Sequence, residues 1–313
     1  MRVGVTGISS DLGRGLLPRL EADSRVSAVV LFDVARPAEL GAKSTFVRSD
    51  LTRPGAEEEL VRSFREQKLD VLYHLAFVNS RVHGAAFAHE LEVIGTMHVL
   101  AATQAAGLSR LIIPSFTALY GARADAPAIQ TEKHALRGEG VRFVTDRVEV
   151  EQQLLKFSER NPGTQVIVLR FAPIVGKTAD NPFTRLLQSG FVPTVLGFDP
   201  VWQVVHESDA VEALNLSLTT KARGVFNIVG ESAAPFSTLV RLSGAQSLPL
   251  PGLFLRATIK LLETAGVSSV PVPLLDFLRY SWVADGERAR AQLGFVPKVT
   301  FTQAMASMRE RRA

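Results

Sequence analysis

The chain has no cysteine in its 313 residues. That removes disulfide staples, thiolate metal sites and a cysteine nucleophile together. Tyrosine is nearly as scarce, with only Tyr73, Tyr120 and Tyr280. No window reaches the roughly 18 uninterrupted apolar residues of a spanning helix, so a membrane span is not expected. The opening MRVGVTGISSDLG reads as a buried strand rather than a charged leader, which argues against a secretory signal and for the cytoplasm. Neither sign of charge dominates. Lys+Arg 35 against Asp+Glu 31 leaves +4, and basic clusters are short (Arg311 and Arg312), so nucleic acid is not an expected partner. The six histidines are scattered and no His-Glu-x-x-His occurs, which sets zinc and other metals aside. There is no Gly-x-Ser-x-Gly to suggest a hydrolase, and no fixed-period repeat.

What is present is a globular composition, 46% hydrophobic and 21% charged, in a chain long enough to bury a sizeable core. Short apolar runs alternate with helical patterns, which predicts βαβ units around a parallel sheet. Strands are expected at Arg2–Thr6, Ala28–Asp33, Ser44–Arg48, Val71–Leu75, Arg110–Pro114, Gln165–Phe171, Trp202–Val205 and Val225–Val229. Helices are expected at Leu12–Glu21, Ala56–Glu66, His89–Ala106, Val144–Arg160 and Asp209–Thr219. In the helix from His89, the residues Leu91, Ile94, His98, Ala101 and Ala105 form one face, and Gly107 is the stop. Prolines interrupt the rhythm at 173–200 and again after Val229, where an apolar helix is expected near Leu253–Thr264. The segment Pro251–Leu262 reads as a lid or dimer helix, and membrane contact through it is not expected. The fold expected is α/β, a doubly wound parallel Rossmann sheet with a small C-terminal substrate lobe. Residues 1–172 with 201–229 would form the dinucleotide domain, and 173–200 with 230–313 the lobe.

The first unit carries the chemistry. Val3–Thr6 runs into Gly7-Ile8-Ser9-Ser10-Asp11-Leu12-Gly13 and straight into a helix. Gly7 permits a sharp turn, Gly13 permits close helix–strand packing, and the exposed N–H groups at the helix start favour a pyrophosphate. The second strand ends in Asp33, about 20 residues on, where an acid would bind ribose hydroxyls. A carboxylate there repels a 2′-phosphate, making NAD the first choice; Arg14 and Arg36 nearby leave NADP open.

Taken in order, these residues resemble the extended short-chain dehydrogenase/reductase family, the NAD-dependent epimerase/dehydratase group that acts on nucleotide sugars. The loop is similar to TGxxGxxG, with Ser10 in the middle glycine's place. Asp50-Leu51 resembles the pair beside the adenine, and His74-Leu75-Ala76 the stretch lining the cofactor after the fourth strand. Leu119-Tyr120-Gly121, the Val205–Asp209 turn, Gly224–Ile228 and Leu293–Pro297 match further motifs, so the resemblance spans nearly the whole chain. It implies a cofactor site of Gly7, Ser10, Asp11, Leu12, Gly13, Asp33, Asp50, Leu51, Leu75 and Ala76. It also implies a small substrate of nucleotide-sugar type and a homodimer through His89–Ala106 and Val144–Arg160.

The family's chemistry uses Tyr-x-x-x-Lys with Ser and Asn assisting. Val150-Glu151-Gln152 matches the stretch that follows this motif, which puts Phe143 at the Tyr position and Arg147 at the Lys position. No Tyr-x-x-x-Lys occurs anywhere in the chain. The Ser position falls on Phe116, flanked by Ser115 and Thr117, and the Asn position near Glu92. Ser115, Thr117 and Arg147 are therefore the catalytic candidates, and Arg147 is also a candidate for holding ribose or phosphate. Trp202-Gln203 stands where epimerases place an arginine for the substrate diphosphate, with Trp202 read either as a stacking platform or as lobe packing. His74 is expected to pair with backbone and His206 to close the sheet. Two functions remain: an atypical epimerase/dehydratase-type enzyme, toward which the retained loop leans, or a catalytically silent dinucleotide-binding protein.

Overall fold

The computed structural model describes residues 1–77, 85–138, 142–255, 257 and 272–310. Strands β1 (Arg2–Thr6), β2 (Ala28–Asp33) and β3 (Ser44–Arg48) enclose α1 (Asp11–Ala22). Then come α2 (Ala56–Glu66), β4 (Val71–His74), α3 (Ala85–His89), α4 (Gly95–Ala106) and β5 (Arg110–Phe116). The two-residue β6 (Ile129–Gln130), α5 (Arg142–Arg160) and β7 (Gln165–Phe171) follow. Beyond them lie β8 (Ile174–Val175), α6 (Pro182–Leu187), β9 (Phe191–Val195), β10 (Val201–Gln203), β11 (Val205–His206), α7 (Glu207–Ser217) and β12 (Gly224–Ile228).

Seven of these strands form one parallel sheet in the order β12-β7-β5-β4-β1-β2-β3. The chain winds outward from β1 to β3, returns beside β1 as β4, and winds the other way. The order therefore reverses between β1 and β4, the switch point where open α/β sheets bind ligands. Apart from the edge strand β3, the strands read as largely apolar runs because both faces are covered. Leu16 and Leu20 of α1 and Ala210 and Leu214 of α7 pack on one face. Leu60 and Phe64 of α2, Val99 and Leu100 of α4, and Val150 and Leu154 of α5 pack on the other. Each fully buried Leu or Phe contributes about 2 kcal/mol by removal from water.

The later elements are β13 (Ala233–Pro235), α8 (Phe236–Ser243), β14 (Gln246–Leu250), β15 (Val283–Ala284), α9 (Glu287–Leu293) and α10 (Phe301–Arg309). A second core gathers Val192, Trp202, Phe236, Leu239, Trp282 and Met305. Trp202 is its centre, 1% exposed, with its ring 4.5 Å from Phe236 and its Nε1 donating to Phe277 O. Of its two readings, lobe packing is the one this burial matches. Gln203 is also spent internally, accepting the Ala284 N–H.

Three expectations need correction. Trp202–Val205 is no strand of the main sheet: β10 pairs antiparallel with β13, and β11 pairs parallel with β8. The pattern from His89 is not one α-helix. It starts at Ala85 and passes through a π-helical turn, Glu90–Ile94, before α4. The wider turn rotates the face, so that Glu92, Val93, Thr96, Val99, Leu100 and Thr103 are buried while Leu91, Ile94, His98 and Ala101 are only half-buried and Ala105 is exposed. His74 pairs with two threonines rather than backbone. The apolar helix expected near Leu253–Thr264 lies mostly outside the described residues. Among the described residues no helix is long and apolar enough to cross a membrane.

Candidate functional site

The glycine turn sits at the carboxyl end of β1. Gly7 has φ +73°, and a Cβ there would lie 2.5 Å from Ala76 Cα, so both its dihedral and the closeness of the chain after β4 demand glycine. At Gly13 a Cβ would come 2.7 Å from Ile8 O. Ser10 caps α1: its Oγ donates to Gly7 O at 2.7 Å and accepts the Gly13 N–H at 3.1 Å. The N–H groups of Asp11 and Leu12 lie in the same first turn, among those a helix leaves without intrahelical acceptors. Asp11 brings a carboxylate to this tip. It pairs with Arg14 and accepts the Asp180 N–H at 3.0 Å, tying the tip to the segment that leads into α6.

Asp33, 8% exposed at the end of β2, faces the turn. Its Oδ2 accepts the Ser9 N–H at 3.0 Å and the Ser9 hydroxyl at 2.8 Å, and its Oδ1 accepts the Val34 N–H at 2.8 Å. Asp50 holds its own turn, with Oδ1 accepting the Thr52 N–H and hydroxyl. Leu51 is buried, its carbonyl accepting from His98 Nδ1 at 3.0 Å. Leu75 is buried beside the turn and donates its N–H to Thr6 O, while Ala76 is half-buried against Gly7. The structure thus brings Gly7–Gly13, Asp33, Leu75 and Ala76 together at the switch point.

The β4–β5 side is built differently. His74 and Thr6 are register partners on adjacent strands, and Thr6 Oγ1 lies 2.7 Å from His74 Nδ1. Thr96 donates its proton to Glu92 O, so its oxygen accepts from His74 Nε2 at 3.1 Å and Thr6 donates to Nδ1. Full burial, with Arg147 nearby, pulls the His74 pKa down to about 3, so the imidazole is neutral.

On α5, Val144, Arg147, Val150, Glu151 and Leu154 fall at helical spacing and are all buried. The two charged members are each matched by an opposite charge. Arg147 Nε donates to Glu92 Oε2 at 3.0 Å and Nη1 to Pro114 O at 3.1 Å. The guanidinium lies 3.4 Å from the Phe77 ring centroid and 5.5 Å from that of Phe116. Burial lowers the Arg147 pKa and Glu92 pulls it back up; a guanidinium stays charged throughout. Glu151 accepts from Arg170 through both oxygens, at 3.0 and 2.5 Å, and takes the Ser115 hydroxyl at 2.6 Å. Arg170 also donates to Tyr120 Oη at 2.7 Å, and that phenol donates to Asn227 Oδ1 at 2.8 Å. Thr117 is 4% exposed at the start of the 3₁₀ turn Thr117–Tyr120. Phe143 lies in the first turn of α5, and its side chain is outside the described residues.

The phenols are accounted for as well. Tyr73 is buried and donates to Leu214 O, and Tyr120 belongs to the Arg170 chain; burial raises both pKa values. Tyr280 is half-buried, 6.2 Å from Phe198 in the second core region. His206 caps α7 by accepting the Ser208 N–H. Sequence reasoning placed Glu92 and Arg147 at separate altered positions and missed that they are partners. The signal was available: two positions assigned to one pocket carry opposite charges. Phe77 and the grip of Ser9 on Asp33 were missed without any such cue.

Residues 3–229 match the NAD dependent epimerase/dehydratase family. An uncharacterised protein of Mycobacterium tuberculosis is 29% identical over 311 residues, covering 96% of this chain and 81% of its own. A UDP-glucose 4-epimerase of Azospirillum brasilense is 24% identical, covering 95% of this chain and 87% of its own. Among solved structures, the UDP-glucose 4-epimerase of Thermotoga maritima with UDP-glucose superposes with a TM-score of 0.76 at 19% identity, covering 100% of this chain and 98% of that one. The Thermus thermophilus UDP-glucose 4-epimerase with NAD superposes with a TM-score of 0.75 at 20% identity, covering 99% and 98%. These structural likenesses establish the doubly wound fold, and the family match establishes the kinship and its cofactor class. The chain belongs to the NAD dependent epimerase/dehydratase family, the extended short-chain dehydrogenase/reductase group that its motifs resemble.

Proposed function

We propose that this protein binds NAD at the glycine turn and lacks the tyrosine–lysine couple with which the family moves a proton alongside its hydride. The single observation that carries the reading is the Arg147–Glu92 pair. The cation at the lysine position is closed on a carboxylate and a backbone carbonyl beneath an aromatic ring, and a guanidinium is a poor proton carrier. The turn itself fits the cofactor: its glycines cannot accept a Cβ, and a helix start faces the switch point. Gly7, Ser10, Asp11, Leu12 and Gly13 would hold the pyrophosphate and Asp33 the adenosine ribose. Asp50 and Leu51 would flank the adenine, and Leu75 and Ala76 would line the floor. Bound NAD would supply a hydride acceptor. The chain's own residues bind and orient it, and Asp33, negative and fixed by Ser9, disfavours a 2′-phosphate.

The functional class that follows is an NAD-binding member of an enzyme family whose active site is atypical, working in the cytoplasm. Residues 1–172 with 201–229 would serve as the cofactor domain and 173–200 with 230–313 as the lobe. A small substrate of nucleotide-sugar type is supported by the UDP-glucose epimerases among the relatives. A homodimer is supported by Met97 on α4 and Leu155 on α5, which are 50% and 62% exposed. Enzymatic turnover keeps one specific support, the Thr117 hydroxyl at the carboxyl end of β5, where ligands of parallel sheets sit. Isothermal titration tests the binding claim. NAD should bind, NADP should bind more weakly, and Asp33→Asn should narrow the difference. No binding of either at millimolar cofactor overturns the proposal.

A further inference from the structure

The two halves of the cofactor pocket differ in how many polar groups remain for a ligand. The sheet order sets the halves: with an acid at the end of β2 on the adenosine ribose, the nicotinamide end extends over β4 and β5. On the β2 side, the α1 tip presents first-turn N–H groups. Asp33 there keeps one exchangeable partner, the Ser9 hydroxyl, which can rotate aside for a ribose hydroxyl while the Ser9 and Val34 N–H groups still hold the carboxylate.

On the other side His74, Ser115 and Arg147 are engaged within the protein, which leaves the buried Thr117 hydroxyl as the one side-chain group named there for a ligand. Both His74 nitrogens are bonded to threonines. Ser115 gives its proton to Glu151. Arg147, only 6% exposed, gives Nε to Glu92 and Nη1 to Pro114 O, and Phe77 covers its face. A nicotinamide riboside carries two ribose hydroxyls and a carboxamide. Polar groups that are desolvated without a partner add nothing to affinity.

We infer that the pocket reads the ADP-ribose portion of its ligand and gains little from the nicotinamide ring, so that nucleotides ending in adenosine diphosphate ribose compete with NAD on nearly equal terms. The Arg147–Glu92 pair and the Phe77 ring have taken over the contacts a nicotinamide ribose would use. The inference rests on the dinucleotide reading above and narrows it to one half of the ligand.

The test is calorimetric titration of the full chain with NAD, ADP-ribose and nicotinamide mononucleotide. The expected result is a Kd for ADP-ribose within about threefold of that for NAD, with no binding of nicotinamide mononucleotide at millimolar concentration. NAD binding at least about tenfold tighter than ADP-ribose overturns this inference and leaves the dinucleotide reading standing. Binding of neither NAD nor ADP-ribose overturns both.

Discussion

Glu92 and Arg147 are 2% and 6% exposed, and each offsets the other's charge in the interior. The attraction within a buried pair offsets part of its desolvation cost, whereas removing one partner strands a charge. Glu92→Gln should therefore lower stability by about 3 kcal/mol, read as a drop in the urea midpoint at unchanged slope. An unchanged midpoint would mean that Pro114 O and the Phe77 ring suffice for the guanidinium. At this scale the sequence was legible wherever a residue type has one job in a fixed context. Asp33 ending a strand opposite a glycine turn was such a case, and the loss of Tyr-x-x-x-Lys needed no geometry at all. The partner choices of Arg147, Ser115 and His74 were not legible. They depend on which side chains the fold brings within 3.1 Å across 22 to 68 residues of sequence.

Among the elements, the β1–α1 unit and the parallel strands stand where their apolar runs predict, because strands covered on both faces announce themselves by composition. The π turn at Glu90–Ile94 breaks the 3.6-residue count, so no periodicity argument could have put Glu92 on the buried face. Strands β10 and β11, of three and two residues, are too short to carry an alternation and were read as one run, Trp202–Val205. Ser10, standing in the middle glycine's place, is explained by its cap. Replacing it with Ala should cost about 1 kcal/mol and with Gly only a few tenths, measured by thermal or urea unfolding. Equal losses for the two variants would show that the cap bond contributes nothing.

Across the whole molecule, the glycine turn is wired to the segment that leads into the second core. Asp11 at the α1 tip takes the Asp180 N–H, and Glu207 at the start of α7 takes Thr178 through its N–H and hydroxyl. A ligand settling on the α1 tip therefore meets a carboxylate that already anchors the segment leading into α6. The family architecture thus persists in the sheet, while on the proposed reading the Arg147–Glu92 pair, closed beside the Phe77 ring, is the reason that the family's proton transfer is absent. Single-turnover absorbance at 340 nm tests that claim most directly, with NAD-saturated protein mixed with UDP-glucose and followed until product analysis. The account predicts a flat trace and unchanged sugar, although the same sample binds NAD by calorimetry. A lasting rise at 340 nm with an oxidised sugar, or an epimerised sugar with the absorbance back at its starting value, would contradict it.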